Sequence, residues 1–313
     1  MLLAALLACT PAPVDSGAGN GIPVLDPPPA GEGFQVSMFG TAAAFSEAWL
    51  CSVYDLPTTE PASVNSVQYL QNAGTHHLTL STTAFAQTPL PEGNYDCADL
   101  YADTTLMEDV VMMFGNQGEA AGTLTLPEGV AATLPAGIQV MQEIHYVNTT
   151  DTDVSLYSYL NAWTIPEEEV VDGIWGGSVR DENIAIPPGA SHTEWSRCVL
   201  NEDVEVQFLA SHTHAQATSF TIAPYDGDNV GEVFYENFDW HDPKIVQYDP
   251  PLVVPAGQGF EFSCTWQNQG DTEVNYGFLS TDEMCNMAIV FTPFSVTAAC
   301  EVVETSDGVL WEG

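Results

Sequence analysis

Short stretches of this chain alternate between apolar and polar residues with a period of two. Val204, Val206, Phe208 and Ala210 alternate with Glu205, Gln207 and Leu209, and Phe260, Phe262, Cys264 and Trp266 alternate with Glu261, Ser263 and Thr265. Ile138, Val140, Gln142 and Ile144 form a weaker run of the same kind. Successive side chains of a strand point to opposite faces, so each run predicts a strand with one buried face. Turn signals punctuate the runs: Pro91-Glu-Gly93, Pro127-Glu-Gly129, Pro135-Ala-Gly137, Pro187-Pro-Gly189 and Pro255-Ala-Gly257. Proline presets the first central position of such turns, and glycine suits their exit. No long segment carries a helical period. The expected fold is all-β, built of antiparallel β-sandwiches.

At 313 residues the chain is long enough for two domains. Pro166-Glu-Glu-Glu169 interrupts two strand-like stretches. It suggests a boundary, with one domain over 34–165, another over 166–303 and a tail over 304–313. The first nine residues, Met1-Leu-Leu-Ala-Ala-Leu-Leu-Ala-Cys9, form a short apolar run ending in a cysteine. They resemble a bacterial lipoprotein signal, with Cys9 as the lipidated residue. The run is too short to span a bilayer. The stretch 10–33, rich in Pro, Gly and Ala, reads as a tether. Export to the periplasm, outer membrane or cell surface follows from this reading. Setting Cys9 aside leaves Cys51, Cys97, Cys198, Cys264, Cys285 and Cys300, which in an oxidising compartment give three disulfides among fifteen possible pairings.

Charge narrows the partners. There are 43 acidic residues and only three basic ones, Arg180, Arg197 and Lys244, for a net charge of −40. Nucleic acid is excluded, because phosphate binding needs the missing Lys and Arg. An anionic membrane surface would also repel the chain, leaving a lipid anchor as its route to a membrane. The acidic surface suits solubility in saline surroundings.

Five of the seven histidines fall in three compact motifs. In Gly74-Thr75-His76-His77-Leu78, adjacent rings could meet one metal only if the backbone bulges at the pair. In Gln142-Glu143-Ile144-His145-Tyr146, His145 shares a face with Met141 and Glu143, opposite Ile138, Val140 and Ile144. In Ser211-His212-Thr213-His214 the two rings share a face and could chelate one ion, on the stripe that carries Val204, Val206 and Phe208. Uncompensated imidazoles on a core stripe are costly, and a metal would satisfy them. Thr281-Asp-Glu-Met-Cys-Asn286 adds Met284, whose soft thioether selects Cu(I); Met287 is an alternative from the same segment. His192 and His241 belong to none of these motifs.

Taken in order, the His-His pair, the Gln-x-x-His-Tyr stretch, the His-Thr-His triplet and Asp-Glu-Met-Cys-Asn resemble the copper type II, ascorbate-dependent monooxygenases. These are the peptidylglycine α-hydroxylating and dopamine β-monooxygenases, and the likeness runs from about Cys51 to Cys300. It implies two jelly-roll-like β-sandwich domains with a cleft between them, each holding one copper. His76, His77 and His145 would ligate the electron-transfer copper, and His212, His214 and Met284 the copper that meets dioxygen and substrate. It further implies the disulfides Cys51–Cys97, Cys198–Cys300 and Cys264–Cys285. Glu143 and Asn286 would support the ligands from behind. Where the peptide-hydroxylating members carry a carboxylate clamp, this chain has Ala210 and Ala288, so a C-terminal-glycine peptide is an unsuitable substrate. The implied activity is hydroxylation of a C–H bond in a small organic substrate with dioxygen and ascorbate or a similar reductant, by a monomer. The alternative is a non-catalytic copper-binding or copper-delivery lipoprotein.

Overall fold

The computed structural model describes residues 22–83, 90–101 and 110–308. The signal-like segment, Cys9 and the second half of the tail lie outside them. The described chain is nearly all β, and it divides into two compact units, one ending at Val171 and the other beginning at Asp172.

In the first unit, one sheet orders the strands Gly33–Ala42, Val154–Ile165, Ala62–Gln71 and Val130–Leu134, with Ala121–Thr125 also paired to Ala62–Gln71. The second orders Gly93–Asp96, Ser46–Asp55, Gln139–Asn148, Thr75–Thr82 and Val111–Gln117, all antiparallel. The two sheets share a core: Val36, Tyr69 and Leu160 from the first meet Leu78, Leu80, Phe114 and Val140 from the second. The inward face read around Val140 is present, with Val140, Gln142 and Ile144 fully buried, but Met141, Glu143 and His145 on the other face are buried too. Gln142 is satisfied there, accepting from Tyr54 Oη at 2.7 Å and donating to Ser158 Oγ at 2.8 Å. Leu25 and Asp26, within the stretch read as a tether, accept hydrogen bonds from Gln35 and Asn161, so this end is held to the unit.

The second unit pairs Trp175–Arg180, Asn286–Thr292, Val204–His212 and Val246–Val254 in one sheet. Its other large sheet runs Tyr235–Asn237, Ala217–Tyr225, Gly259–Gln267, Ser191–Leu200 and Cys300–Thr305. Phe220, Phe262 and Trp266 from the latter pack with Val206, Leu209, Met287, Ile289 and Phe291 from the former. Along Gly259–Gln267 the inward residues are Phe260, Phe262, Cys264 and Trp266, as the period-two pattern predicts.

Along Val204–His212 the prediction holds only as far as Val206. The register against both neighbouring strands slips between Val206 and Phe208, so Gln207 is an inserted bulge residue. Beyond it the inward positions become Leu209, which joins the core, and Ser211, whose hydroxyl lies 2.9 Å from the buried Tyr235 Oη. His212 therefore lies on the outward face, together with Ala210, and not on the stripe of Val204 and Val206. A one-residue slip exchanges the two faces of a strand.

The disulfides are Cys51–Cys97, Cys198–Cys300 and Cys264–Cys285, the pairs implied by the resemblance. Three disulfides fit an oxidising compartment. Among the described residues, no helix is long and apolar enough to cross a membrane.

Candidate metal centres

The first centre sits on the face of the Gln139–Asn148 sheet opposite the core. Gly74, in the left-handed region at φ 81°, ends a turn closed by Thr75, whose amide and hydroxyl both donate to Asn72 O. The strand then enters with Thr75 opposite Tyr146 and His77 opposite His145, leaving His76 as the extra residue of a bulge. That bulge lets two consecutive imidazoles reach the same neighbour. His145 Nδ1 lies 3.3 Å from His76 Nδ1 and 3.1 Å from His77 Nε2, and one ligand atom from each of the three rings lies within 4.8 Å of the others. Nitrogens about 3.3–3.5 Å apart are what bonds of about 2.0 Å to one ion require. The trio thus fits a metal that prefers imidazole. His145 is fully buried and His76 nearly so.

Behind this trio is a polar and aromatic layer. His145 Nε2 lies 2.5 Å from Glu47 Oε1. The Trp49 ring stacks on His145 on one side and on Tyr101 on the other, at centroid distances of 5.6 and 5.0 Å. Tyr101 stands at the end of the one-turn helix Cys97–Tyr101, which the Cys51–Cys97 bond ties to the sheet. Glu143 is buried beneath them, accepting from Tyr101 Oη and, at 3.5 Å, from Trp49 Nε1. Burial raises its carboxyl pKa, and the two donors oppose that rise.

In the second centre, His212 is the last residue of its strand and His214 follows in the loop; their ring centroids are 5.3 Å apart. The Asp282–Asn286 segment lies against both. His214 Nδ1 is 3.0 Å from Asp282 O, which can only accept, so the ring proton sits on Nδ1 and the buried Nε2 carries the lone pair. His212 is the cross-strand partner of Asn286, whose Nδ2 is 3.3 Å from Met284 Sδ. Met284 thus lies between the two residues that engage the histidines, buried but outside the core cluster. Met287 is the opposite case: it pairs with Ser211, is fully buried and belongs to the core. Two imidazoles with a thioether make a donor set suited to copper.

Glu283 holds this segment. Its carboxylate accepts from the main-chain N–H of His214 at 3.1 Å, Gln216 at 2.7 Å and Met284 at 3.4 Å, and from Trp266 Nε1 at 2.9 Å. Burial pushes its pKa up to about 7 against those bonds. The Cys264–Cys285 disulfide joins the segment to the facing sheet next to Met284. Ala210 and Ala288 are direct cross-strand partners, two residues along from the His212–Asn286 pair. Arg180 stands opposite Asn286 in the same row and is 3.8 Å from Glu182.

His192 and His241 lie in neither centre. His192 bonds Glu194 at 2.7 Å, and the exposed His241 packs its ring against Trp240. Sequence reasoning passed over Glu47, Trp49 and Tyr101. It quoted Asp282 and Glu283 inside a motif without giving either a role.

No curated protein matches this chain. Among solved structures, the N-terminal CBM22-1–CBM22-2 tandem domain of Paenibacillus barcinonensis Xyn10C is similar at 12% identity. That likeness covers 83% of this chain and 92% of that one, with a TM-score of 0.20, and carries no argument. Residues 174–312, nearly all of the second unit, match the model of a known domain family. That model is the C-terminal domain of the copper type II ascorbate-dependent monooxygenases, to which the second unit is similar.

Proposed function

We propose that the protein is a copper monooxygenase that hydroxylates a C–H bond of a small organic substrate with dioxygen and a reductant such as ascorbate. The observation that carries this reading is the pair of donor sets: His76, His77 and His145 in one unit, His212, His214 and Met284 in the family-matched other. The overall conversion consumes one dioxygen, two electrons and two protons, and yields the alcohol and one water. Bound copper would supply one-electron chemistry and the activation of dioxygen.

The chain's own residues supply geometry. The three imidazoles of the first centre, two of them buried, offer nitrogen donors, held by a bulge and backed by Glu47 and Trp49. In the second, Asp282 O directs His214 Nε2 away from its hydrogen-bonded side, and Glu283 fixes the main chain on both sides of the ligand set. Beside His212, the opposed methyl groups of Ala210 and Ala288 form a small apolar floor. That floor favours an uncharged or apolar group of the substrate over a carboxylate.

The same reading puts the protein outside the cytoplasm, carried there by its signal-like N-terminus and anchored through Cys9.

The deciding experiment loads the full chain with copper and follows oxygen consumption with ascorbate across a screen of small organic substrates. Two coppers per chain, with ascorbate-coupled oxygen uptake and a hydroxylated product, is the expected result. Fewer than two coppers, or two coppers without product from any substrate, would overturn it.

A further inference from the structure

The two centres differ in what holds their histidines from behind. His145 Nε2 meets a carboxylate, Glu47 Oε1, at 2.5 Å, whereas His214 Nδ1 meets a neutral carbonyl, Asp282 O, at 3.0 Å. We propose that Glu47 is a positioning residue that both aims His145 and keeps the first centre at a lower reduction potential than the second. This rests on reading His76, His77 and His145 as copper ligands.

The geometry follows from register. Trp49 is the cross-strand partner of His145, and Glu47, two residues before it, is a diagonal neighbour on the same face. Its carboxylate accepts the Nε2 proton, so the lone pair of His145 is on Nδ1. That is the atom which approaches His76 Nδ1 and His77 Nε2. The imidazole is fully buried while the Glu47 side chain is 26% exposed. A carboxylate hydrogen-bonded to the far nitrogen makes the imidazole a stronger donor. It also adds negative charge next to the centre. Both effects stabilise Cu(II) over Cu(I).

The second centre has the reverse bias. Its histidine is held by a neutral dipole, and Met284 contributes a soft sulfur that prefers Cu(I). With copper bound at each, the first centre would be the stronger reductant of the two, and Glu47 would set that difference.

The test compares the copper-loaded full chain with Glu47→Gln, Glu47→Ala and His145→Ala variants. Cu(II) and Cu(I) affinities are measured by chelator competition, and potentials by redox titration followed by electron paramagnetic resonance. Glu47→Gln keeps an acceptor and removes the charge. It should weaken Cu(II) at the first centre about tenfold with Cu(I) unchanged, raising its potential by about 59 mV. Glu47→Ala removes aim as well and should cost up to about 100-fold in Cu(II) affinity. Copper at the second centre should be unaffected in both, which also reports an intact fold. Unchanged Cu(II) affinity and potential in both Glu47 variants would overturn the proposal. If His145→Ala holds as much copper as the native chain, the ligand assignment itself fails, whatever Glu47 does.

Discussion

Each centre depends on one extra residue in a strand, and the two use it differently. In the first unit the bulge falls on a histidine of the cluster, His76, and brings two consecutive imidazoles to one side. In the second it falls at Gln207, five positions before His212, and turns the rest of the strand over. The first bulge shapes a cluster; the second decides which face of a sheet carries it. A period-two pattern is therefore a local statement, valid up to the next inserted residue.

The sharpest way to break the comparison is to remove one ligand from each side. His145→Ala should cost the first copper and spare the second, and His212→Ala the reverse; metal analysis of each variant checks this. Loss of both coppers from either change would mean that the centres are not independent. The next effect separates the two methionines. Met287→Ala should destabilise the chain by about 2–5 kcal/mol, the usual cost of truncating a buried methionine, with copper stoichiometry kept. Met284→Ala, buried but outside that core cluster, should cost less denaturant stability than Met287→Ala and weaken Cu(I) binding. Replacing Cys264 and Cys285 by serine opens a link of separation 21 and should cost about 3 kcal/mol. Amide exchange should report that loss along Gly259–Gln267 and not along Gln139–Asn148.

The smallest effect is a pH dependence to which two buried carboxyls of the second unit contribute. Burial raises the carboxyl pKa of Asp181 and of Glu194, which Ser196 and His192 respectively only partly offset. A raised native pKa means that the folded state holds its proton more tightly than the unfolded chain. Stability is then full below the ordinary carboxylate range and falls as pH rises through it to the raised values. Copper-free protein should resist urea better at about pH 5 than at neutral pH. Glu194→Gln should flatten part of that slope.

Much of this molecule was readable in its sequence. The inward run from Phe260 to Trp266 and the buried face around Val140 appear as predicted, because nothing interrupts those strands. The requirement for a bulge at His76-His77 was legible, since only a bulge lets neighbours share a target. The bulge at Gln207 left no mark, because glutamine in a strand signals neither a turn nor a slip. Met284 and Met287 were equivalent by residue type, and strand parity separates them, sending Met287 to the core opposite Ser211. Glu47 was beyond reach for another reason: its partner lies 98 positions along the chain, and only register joins them.

The placement of the three disulfides bears on descent. One closes before Val171 and two after Asp172, so among the described residues no cystine links the halves. Recombination at that junction would cut one peptide bond and leave every crosslink whole. Each half can therefore be duplicated, exchanged or left to diverge as a separate heritable module.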